Sequence, residues 1–146
     1  MRLKNKVAII TGSGGGKGRA VALRYDKEVA KCVVVDINGK NADLVAKEIK
    51  SFSGDVLNIE LDVREQSDLD KTINLALKSF NRIDILFNNA SIFDMAPFFE
   101  SKRESYNRLF EVNVKGMFFM MQAGASQMVD QKIKGKNINL SSQSGR

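Results

Sequence analysis

The sequence contains no histidine and no tryptophan, and it has one cysteine and one proline among 146 residues. The absence of histidine excludes a Ser-His-Asp triad, a Cys-His pair and nearly every catalytic zinc site. Any chemistry must therefore use serine, tyrosine, lysine, asparagine or carboxylate side chains, and we expect no metal site. The single cysteine, Cys32, lies in an apolar run and has no disulfide partner, so we expect a buried small hydrophobe.

Long apolar segments are also missing. The most apolar later stretch, Met117 to Met121, is too short to cross a bilayer. The first six residues lead into a strand-length apolar run, which is not typical of a signal peptide. We therefore expect a cytoplasmic protein that does not bind membranes. The formal charge is +6, but the lysines cluster only at Lys132, Lys134 and Lys136, which favours a solvated surface over a nucleic-acid site.

The most informative feature that is present is a glycine-rich turn after an apolar strand. Val7-Ala8-Ile9-Ile10-Thr11 leads directly into Gly12-Ser13-Gly14-Gly15-Gly16-Lys17-Gly18. Glycine permits a tight strand-to-helix turn and lets a phosphate approach main-chain N–H groups. Because turns are often glycine-rich, the loop alone is weak evidence for a nucleotide site.

Asp36 strengthens the nucleotide interpretation. It ends the next apolar run, twenty residues after Gly16. In a strand–helix–strand unit, an acid at this position accepts hydrogen bonds from the ribose of a dinucleotide. The alternative is a solvated aspartate that opens the turn Asp36-Ile37-Asn38-Gly39.

Strand-like and helix-like patterns alternate from one end of the chain to the other. Strand-like runs lie at 6–11, 31–36, 55–61, 83–87 and 136–140. Between them, apolar residues recur at helical spacing, at Ala42, Val45, Ala46 and Ile49 and again at Leu69, Ile73, Ala76, Leu77 and Phe80. Parallel crossovers of this kind predict an α/β fold, a Rossmann-type doubly wound parallel sheet with strand order 3-2-1-4-5.

Two serine–acid pairs predict helix starts. Ser67 precedes Asp70 by three residues, and Ser101 precedes Glu104 by three. Each pair has the spacing of a capping box, in which the serine caps the first turn.

Five motifs follow one another along the chain: Thr11-Gly12-x-x-x-Gly16-x-Gly18, Asp62-Val63, Asn88-Asn89-Ala90, Val112-Asn113-Val114 and Ile138-Asn139-Leu140-Ser141-Ser142. In order and spacing they resemble those of the short-chain dehydrogenase/reductase family, and the resemblance covers the whole chain. The stretches 88–97, 103–110, 119–123 and 142–146 further resemble bacterial sorbitol and other polyol dehydrogenases of that family.

The resemblance implies NAD as the cofactor, a polyol or other secondary alcohol as the small-molecule substrate, and a homo-oligomer at full length. The residues implied to bind the cofactor are Gly12, Ser13, Gly16, Lys17, Gly18, Asp36, Ile37, Asp62, Val63, Asn89, Ala90 and Ser91. Asp36 would repel a 2′-phosphate, which favours NAD over NADP.

The resemblance also implies catalytic roles for two residues. Ser142 would hydrogen-bond the substrate oxygen, and Asn113 would hold a water in a proton relay; alternatively, Asn113 is a helical asparagine bonded to backbone. Asp94 and Gln143 would lie near the substrate, or else be a solvated loop aspartate and a structural glutamine.

Three positions depart from the family pattern. Lys17 stands where an aliphatic residue normally packs, Val29 stands where a glycine ends the first helix, and Ser91 replaces the glycine after Asn-Asn-Ala. We expect a cation at position 17 to help bind the pyrophosphate, and we expect the absence of glycine at position 29 to make that turn less tight.

The family's Tyr-x-x-x-Lys pair, which transfers the proton, is not in this sequence. Tyr25 and Tyr106 are the only tyrosines, and Val29 and Phe110 stand four residues after them. We therefore expect residues 1–146 to be an incomplete NAD-binding Rossmann domain, truncated after the fifth strand and inactive alone. The alternative is a non-catalytic nucleotide-binding module from a truncated gene.

Overall fold

The predicted apolar runs form one parallel sheet. The structure is a computed structural model that describes residues 1–142. Its strands are β1 Val7–Thr11, β2 Lys31–Asp36, β3 Val56–Glu60, β4 Ile85–Asn88 and β5 Lys136–Asn139. They pair in parallel in the order β3-β2-β1-β4-β5, which confirms the predicted order.

Helices connect the strands and cover both faces of the sheet. They are α1 Gly16–Lys27, α2 Gly39–Ser51, α3 Gln66–Phe80, α4 Arg103–Phe110 and α5 Met117–Asp130. A short 3-10 helix lies at Phe98–Glu100, and a π-helical segment at Glu111–Gly116 joins α4 to α5.

Alternate strand residues build two separate cores. Ile9 and Val33 face a core that includes residues of α3 and α5, and Ile10 and Val34 face a core that includes residues of α1 and α2. Both predicted helix faces are buried or partly buried in these cores. Cys32 is fully buried in the second core as a free thiol, as predicted.

Both predicted capping boxes are wrong. α3 begins at Gln66, so Ser67 lies inside its first turn, and no side chain caps that helix. α4 begins at Arg103, also without a side-chain cap. The hydroxyl of Ser101 donates instead to the carbonyl of Pro97 at 3.3 Å, so the preceding 3-10 turn takes the group that was expected to cap the helix.

A buried ion cluster joins the amino ends of β1 and β4. Asp84 is 3% exposed and accepts hydrogen bonds from Lys6 Nζ at 3.0 Å, Arg82 Nε at 2.7 Å and the backbone N–H of Val7 at 3.0 Å. Burial alone would raise the pKa of Asp84, but these hydrogen bonds, led by the one from Arg82, outweigh it and lower the pKa. The cluster lies at the amino end of the sheet, so it serves stability.

β5 is one edge of the described sheet. It pairs with β4 alone, and its four residues are exposed. Over it, α5 buries Met120 and Met128 but leaves Phe118 half exposed. None of the helices within residues 1–142 has the length and apolar character that crossing a membrane requires.

Candidate functional site

The carboxyl ends of the parallel strands surround a cavity of about 910 Å³. In a doubly wound sheet, ligands bind at this edge, where the strand order reverses between β1 and β4. Its volume is within the usual range of ligand sites. Nine residues that were predicted to bind the cofactor line this cavity: Gly12, Lys17, Asp36, Ile37, Asp62, Val63, Asn89, Ala90 and Ser91.

The glycine turn is shaped by two close approaches. Gly12 has a φ of +62°, and a Cβ there would lie 2.8 Å from the Cα of Ala90. A Cβ on Gly18 would collide with the carbonyl oxygen of Gly12 and come within 2.6 Å of the Nδ2 of Asn89. Glycine is therefore required at both positions, because the backbone of the turn touches the loop after β4.

The outer side of the turn is open. A Cβ on Gly15 or Gly16 would meet nothing within 4 Å, and Gly16 has a φ of +50°. Gly16 begins α1, and the first turn of that helix carries no acid. Unobstructed N–H groups at a helix N-terminus attract anions such as phosphate.

Hydrogen bonds hold the turn against the end of β4. The hydroxyl of Thr11 accepts from the backbone N–H groups of Asn89 and Ala90, both at 3.0 Å. The Asn89 side-chain amide donates to the carbonyls of Thr11 at 3.0 Å and Gly12 at 2.9 Å. Asn89 therefore stabilises the glycine turn and also lines the cavity.

The structure does not bring Ser13 to the cavity. Ser13 is fully buried, its hydroxyl donates to the carbonyl of Ile10 at 2.7 Å, and it accepts from the N–H of Val35 at 2.9 Å. Its own N–H donates to the carbonyl of Val35 at 3.0 Å. Both polar groups of Ser13 therefore join β1 to β2 beneath the turn.

Asp36 stands at the rim of the cavity beside the glycine turn. Its Oδ2 accepts from the N–H of Gly14 at 2.8 Å, and its Oδ1 accepts from the N–H of Asn38 at 2.9 Å. A carboxylate offers about four lone-pair sites, so each oxygen can accept a further hydrogen bond. These two bonds hold the charged group where the sequence predicted it.

Asp62 forms an ion pair with Arg64 in the cavity wall. The Nε of Arg64 lies 2.9 Å from Oδ1 of Asp62, and the hydrogen bonds from Arg64 lower the pKa of Asp62. Arg64 was not predicted, although it directly follows the Asp62-Val63 motif. Arg108 and Val112 also line the cavity from the helical region before Asn113; both lie in stretches that resemble the family, but neither was predicted to line the site.

A second cavity of about 300 Å³ adjoins the first. Lys17, Asn89 and Leu140 are among the residues that line both cavities. Asn113 and Ser142, the two predicted catalytic residues, line the second cavity together.

Asn113, in the π-helical segment, is held by a pair of hydrogen bonds to the backbone of Ile92, in the loop after β4. Its Oδ1 accepts from the N–H of Ile92, and its Nδ2 donates to the carbonyl of Ile92, both at 2.9 Å. One amide hydrogen and one carbonyl lone pair remain for a further partner. Asn88 also lines this cavity: its Nδ2 donates to Asn139, whereas its buried Oδ1 has no partner among residues 1–142.

Of the two predicted substrate residues, the structure describes only Asp94. Asp94 is exposed and lines neither cavity. Gln143 lies outside the described residues. Gly16 and Gly18 do not line the first cavity either, because the former lies on the open side of the turn and the latter packs beneath it.

Known proteins are similar in sequence to this chain along its whole length. The chain is 47% identical over 146 residues to the sorbitol dehydrogenase of Cereibacter sphaeroides. It is 42% identical over 146 residues to the galactitol 2-dehydrogenase of Agrobacterium fabrum. Both alignments cover 100% of this chain and 56% of the relative, so the chain spans about half the length of these curated relatives.

A solved structure shares the fold. It is a 7α-hydroxysteroid dehydrogenase in complex with NADH and 7-oxo glycochenodeoxycholic acid, with a TM-score of 0.93 and 30% identity, over 99% of this chain and 56% of that one. Residues 6–146 also match the family model of the short chain dehydrogenases. With the sheet order, the glycine turn and the placement of Asp36, this match establishes that the chain belongs to the short chain dehydrogenase family.

Proposed function

We propose that this chain is the NAD-binding part of a dehydrogenase that acts on a polyol or a similar secondary alcohol. The observation that carries the proposal is the contact between Asp36 and the glycine turn, with 2.8 Å between Oδ2 of Asp36 and the N–H of Gly14. This contact holds a carboxylate that would accept hydrogen bonds from a ribose beside a turn that would receive a phosphate. The polyol substrate is supported by the names of the two relatives.

The residues present fit a dinucleotide. Asp36 would accept from the hydroxyls of the adenosine ribose, the open turn at Gly15 and Gly16 would receive the diphosphate, and Asp62 with Val63 would flank the adenine. When bound, NAD would supply the acceptor for a hydride from the carbinol carbon. Ser142 would orient the alcohol oxygen, and Asn113 would hold a water through the amide hydrogen that its bonds to Ile92 leave over.

Among residues 1–142, no tyrosine lines either cavity, and Lys17 is the one titratable residue of the smaller cavity that Asn113 and Ser142 line. The ring of Tyr25 packs edge-on against that of Phe87, and burial raises the pKa of Tyr25. Tyr106 stacks on Phe110 with 4.3 Å between ring centroids. We therefore propose that the 146-residue chain alone does not turn over alcohol, and that the complete enzyme, which we expect to be cytoplasmic and homo-oligomeric, does.

Cofactor preference tests the binding proposal. The carboxylate of Asp36 would meet the 2′-phosphate of NADP, and like charges at close range cost on the order of a few kcal/mol in a partly desolvated site. NAD should therefore bind more than about tenfold more tightly than NADP in calorimetric titrations. Asp36→Asn should reduce the difference in affinity between NAD and NADP. The control Asp43→Asn, which also removes one negative charge but on α2, should leave that difference unchanged. Equal or tighter binding of NADP to the unsubstituted chain would contradict the role of Asp36.

Turnover tests the second part of the proposal. NADH formation should be measured with sorbitol, galactitol and simple secondary alcohols. The short chain should be compared with a form extended by a segment that bears a Tyr-x-x-x-Lys pair. Loss of a positioned base typically costs about 10²–10⁴-fold, so the short chain should stay near background. Clear turnover by the short chain would refute the need for that pair, whereas tight NAD binding with no turnover by either form would favour a non-catalytic nucleotide-binding module.

A further inference from the structure

Lys17 carries a positive charge that no contact within the described fold stabilises. It is the second residue of α1, where the helix dipole disfavours a positive charge, and no acid stands in the first turn to compensate it. It has no ion-pair partner within residues 1–142. Among residues 1–142, no acidic side chain therefore neutralises this charge, which stays available to a ligand.

The position of Lys17 between the cavities indicates what it would face. It lines both of them, and it is the one titratable residue among the described residues that line the smaller cavity. The other polar side chains there are uncharged and include Asn88, Asn113 and Ser142. A ligand group in the smaller cavity would therefore meet one positive charge and no negative one.

We propose that Lys17 makes this site select the reduced dinucleotide over the oxidised one. The inference rests on the proposed binding of NAD. If Asp36 holds the adenosine, the cavity of Asn113 and Ser142 would receive the opposite end of the dinucleotide, because that cavity adjoins the first one at Lys17. The nicotinamide ring carries a positive charge in NAD and none in NADH, so a cation beside it opposes the oxidised form alone.

The expected effect is moderate because Lys17 is exposed. Two positive charges at close range in a medium of effective dielectric constant between about 20 and 80 repel enough to change binding measurably, and solvent screening places the effect near the lower end. We expect the preference for NADH that Lys17 contributes to be about three- to tenfold. A tenfold preference corresponds to a shift of about 30 mV in the potential of the bound two-electron couple.

A different role for Lys17 makes a different prediction. If its ammonium neutralised the diphosphate instead, it would strengthen the binding of both forms equally, because both carry the same diphosphate. The ratio of the two dissociation constants therefore separates the roles, whereas either constant alone does not.

The experiment titrates NAD and NADH into the 146-residue chain by calorimetry. In Lys17→Met, which removes the charge, the ratio of the NAD to the NADH dissociation constant should fall about three- to tenfold. Lys17→Arg should keep the ratio. Lys27→Met, an exposed lysine at the far end of the same helix, is the matched control and should also keep it. Raising the salt concentration should weaken the preference of the unsubstituted chain, which tests the same charge without any substitution.

The titrations distinguish failure of this inference from failure of the proposed NAD binding. A fall of the ratio in Lys17→Met alone, together with its salt dependence, supports the inference. If the ratio of the two dissociation constants is unchanged in Lys17→Met, or if both nucleotides bind more weakly by the same factor, the inference is overturned and the proposed NAD site stands. If the unsubstituted chain binds neither nucleotide, the proposed function itself fails, and the role of Lys17 fails with it.

Discussion

Replacing Val29 with glycine should stabilise the chain, because Val29 ends α1 in a backbone conformation that a β-branched residue rarely adopts. Its φ is +66°. The N–H of Ala30 donates to the carbonyl of Tyr25 at 3.0 Å, and the N–H of Val29 donates to the carbonyl of Asp26 at 2.7 Å. This is the bonding of a Schellman motif, whose left-handed position is usually glycine.

Three effects set the change in the free energy of unfolding that Val29→Gly causes. The left-handed conformation costs an L-residue about 1–2 kcal/mol, and a β-branched side chain is near the upper limit. Glycine removes this cost but loses about 0.5–1 kcal/mol through the greater freedom of the unfolded chain. Val29 is 43% exposed, so removal of its side chain loses less than the about 1.5 kcal/mol of full burial. We expect a net gain of up to about 0.6 kcal/mol, which raises Tm by about one to two degrees.

A comparison of alanine with glycine isolates the backbone effect. Val29→Ala and Val29→Gly both remove the valine methyl groups, but only alanine keeps the Cβ that is strained at positive φ. Leu44, 63% exposed in the interior of α2, is the matched control, because alanine is favoured over glycine there by about 1 kcal/mol. Free energies of unfolding should be measured by urea titration with circular dichroism.

The order of stability should therefore be opposite at the two positions. At position 29, the glycine variant should have a free energy of unfolding about 1 kcal/mol higher than that of the alanine variant. At position 44, it should be lower by about the same amount. If alanine were as stable as glycine at position 29, the positive φ would carry no strain, and the reasoning would be refuted.

Two further predictions concern the ion cluster and the glycine turn. Asp84→Asn should destabilise the chain by about 1.5–3 kcal/mol near neutral pH, because it removes the buried charged acceptor of the hydrogen bonds from Arg82, Lys6 and the N–H of Val7. Since the folded pKa of Asp84 is lowered, its contribution is present above the unfolded pKa and is lost on acidification, so urea titrations should show this difference narrowing below about pH 4. Gly18→Ala should abolish NAD binding in calorimetric titrations, because its Cβ would collide with the turn, whereas Lys27→Ala, at an exposed position at the far end of α1, should bind NAD as the unsubstituted chain does. Equal binding by these two variants would contradict the packing argument.

Local patterns were sufficient to predict the sheet and one end of the site. The strands and the helix faces follow from apolar periodicity, since a residue's burial on one face depends on its spacing from its neighbours. The glycine turn and Asp36 are separated by one strand–helix–strand unit, so their meeting follows from the chain's geometry. The sequence also marked Val29 and Lys17 as departures, although it did not reveal the positive φ of Val29 or the place of Lys17 between two cavities.

Contacts between distant segments were decided by the tertiary structure alone. The burial of Ser13 depends on Val35, and the orientation of Asn113 depends on the backbone of Ile92, 21 residues before it. Arg108 reaches the cavity from the helical region that follows β4, without a motif of its own. Sequence patterns report which face of its own element a side chain occupies, but which partner a polar group finds is set by the packing of one element on another.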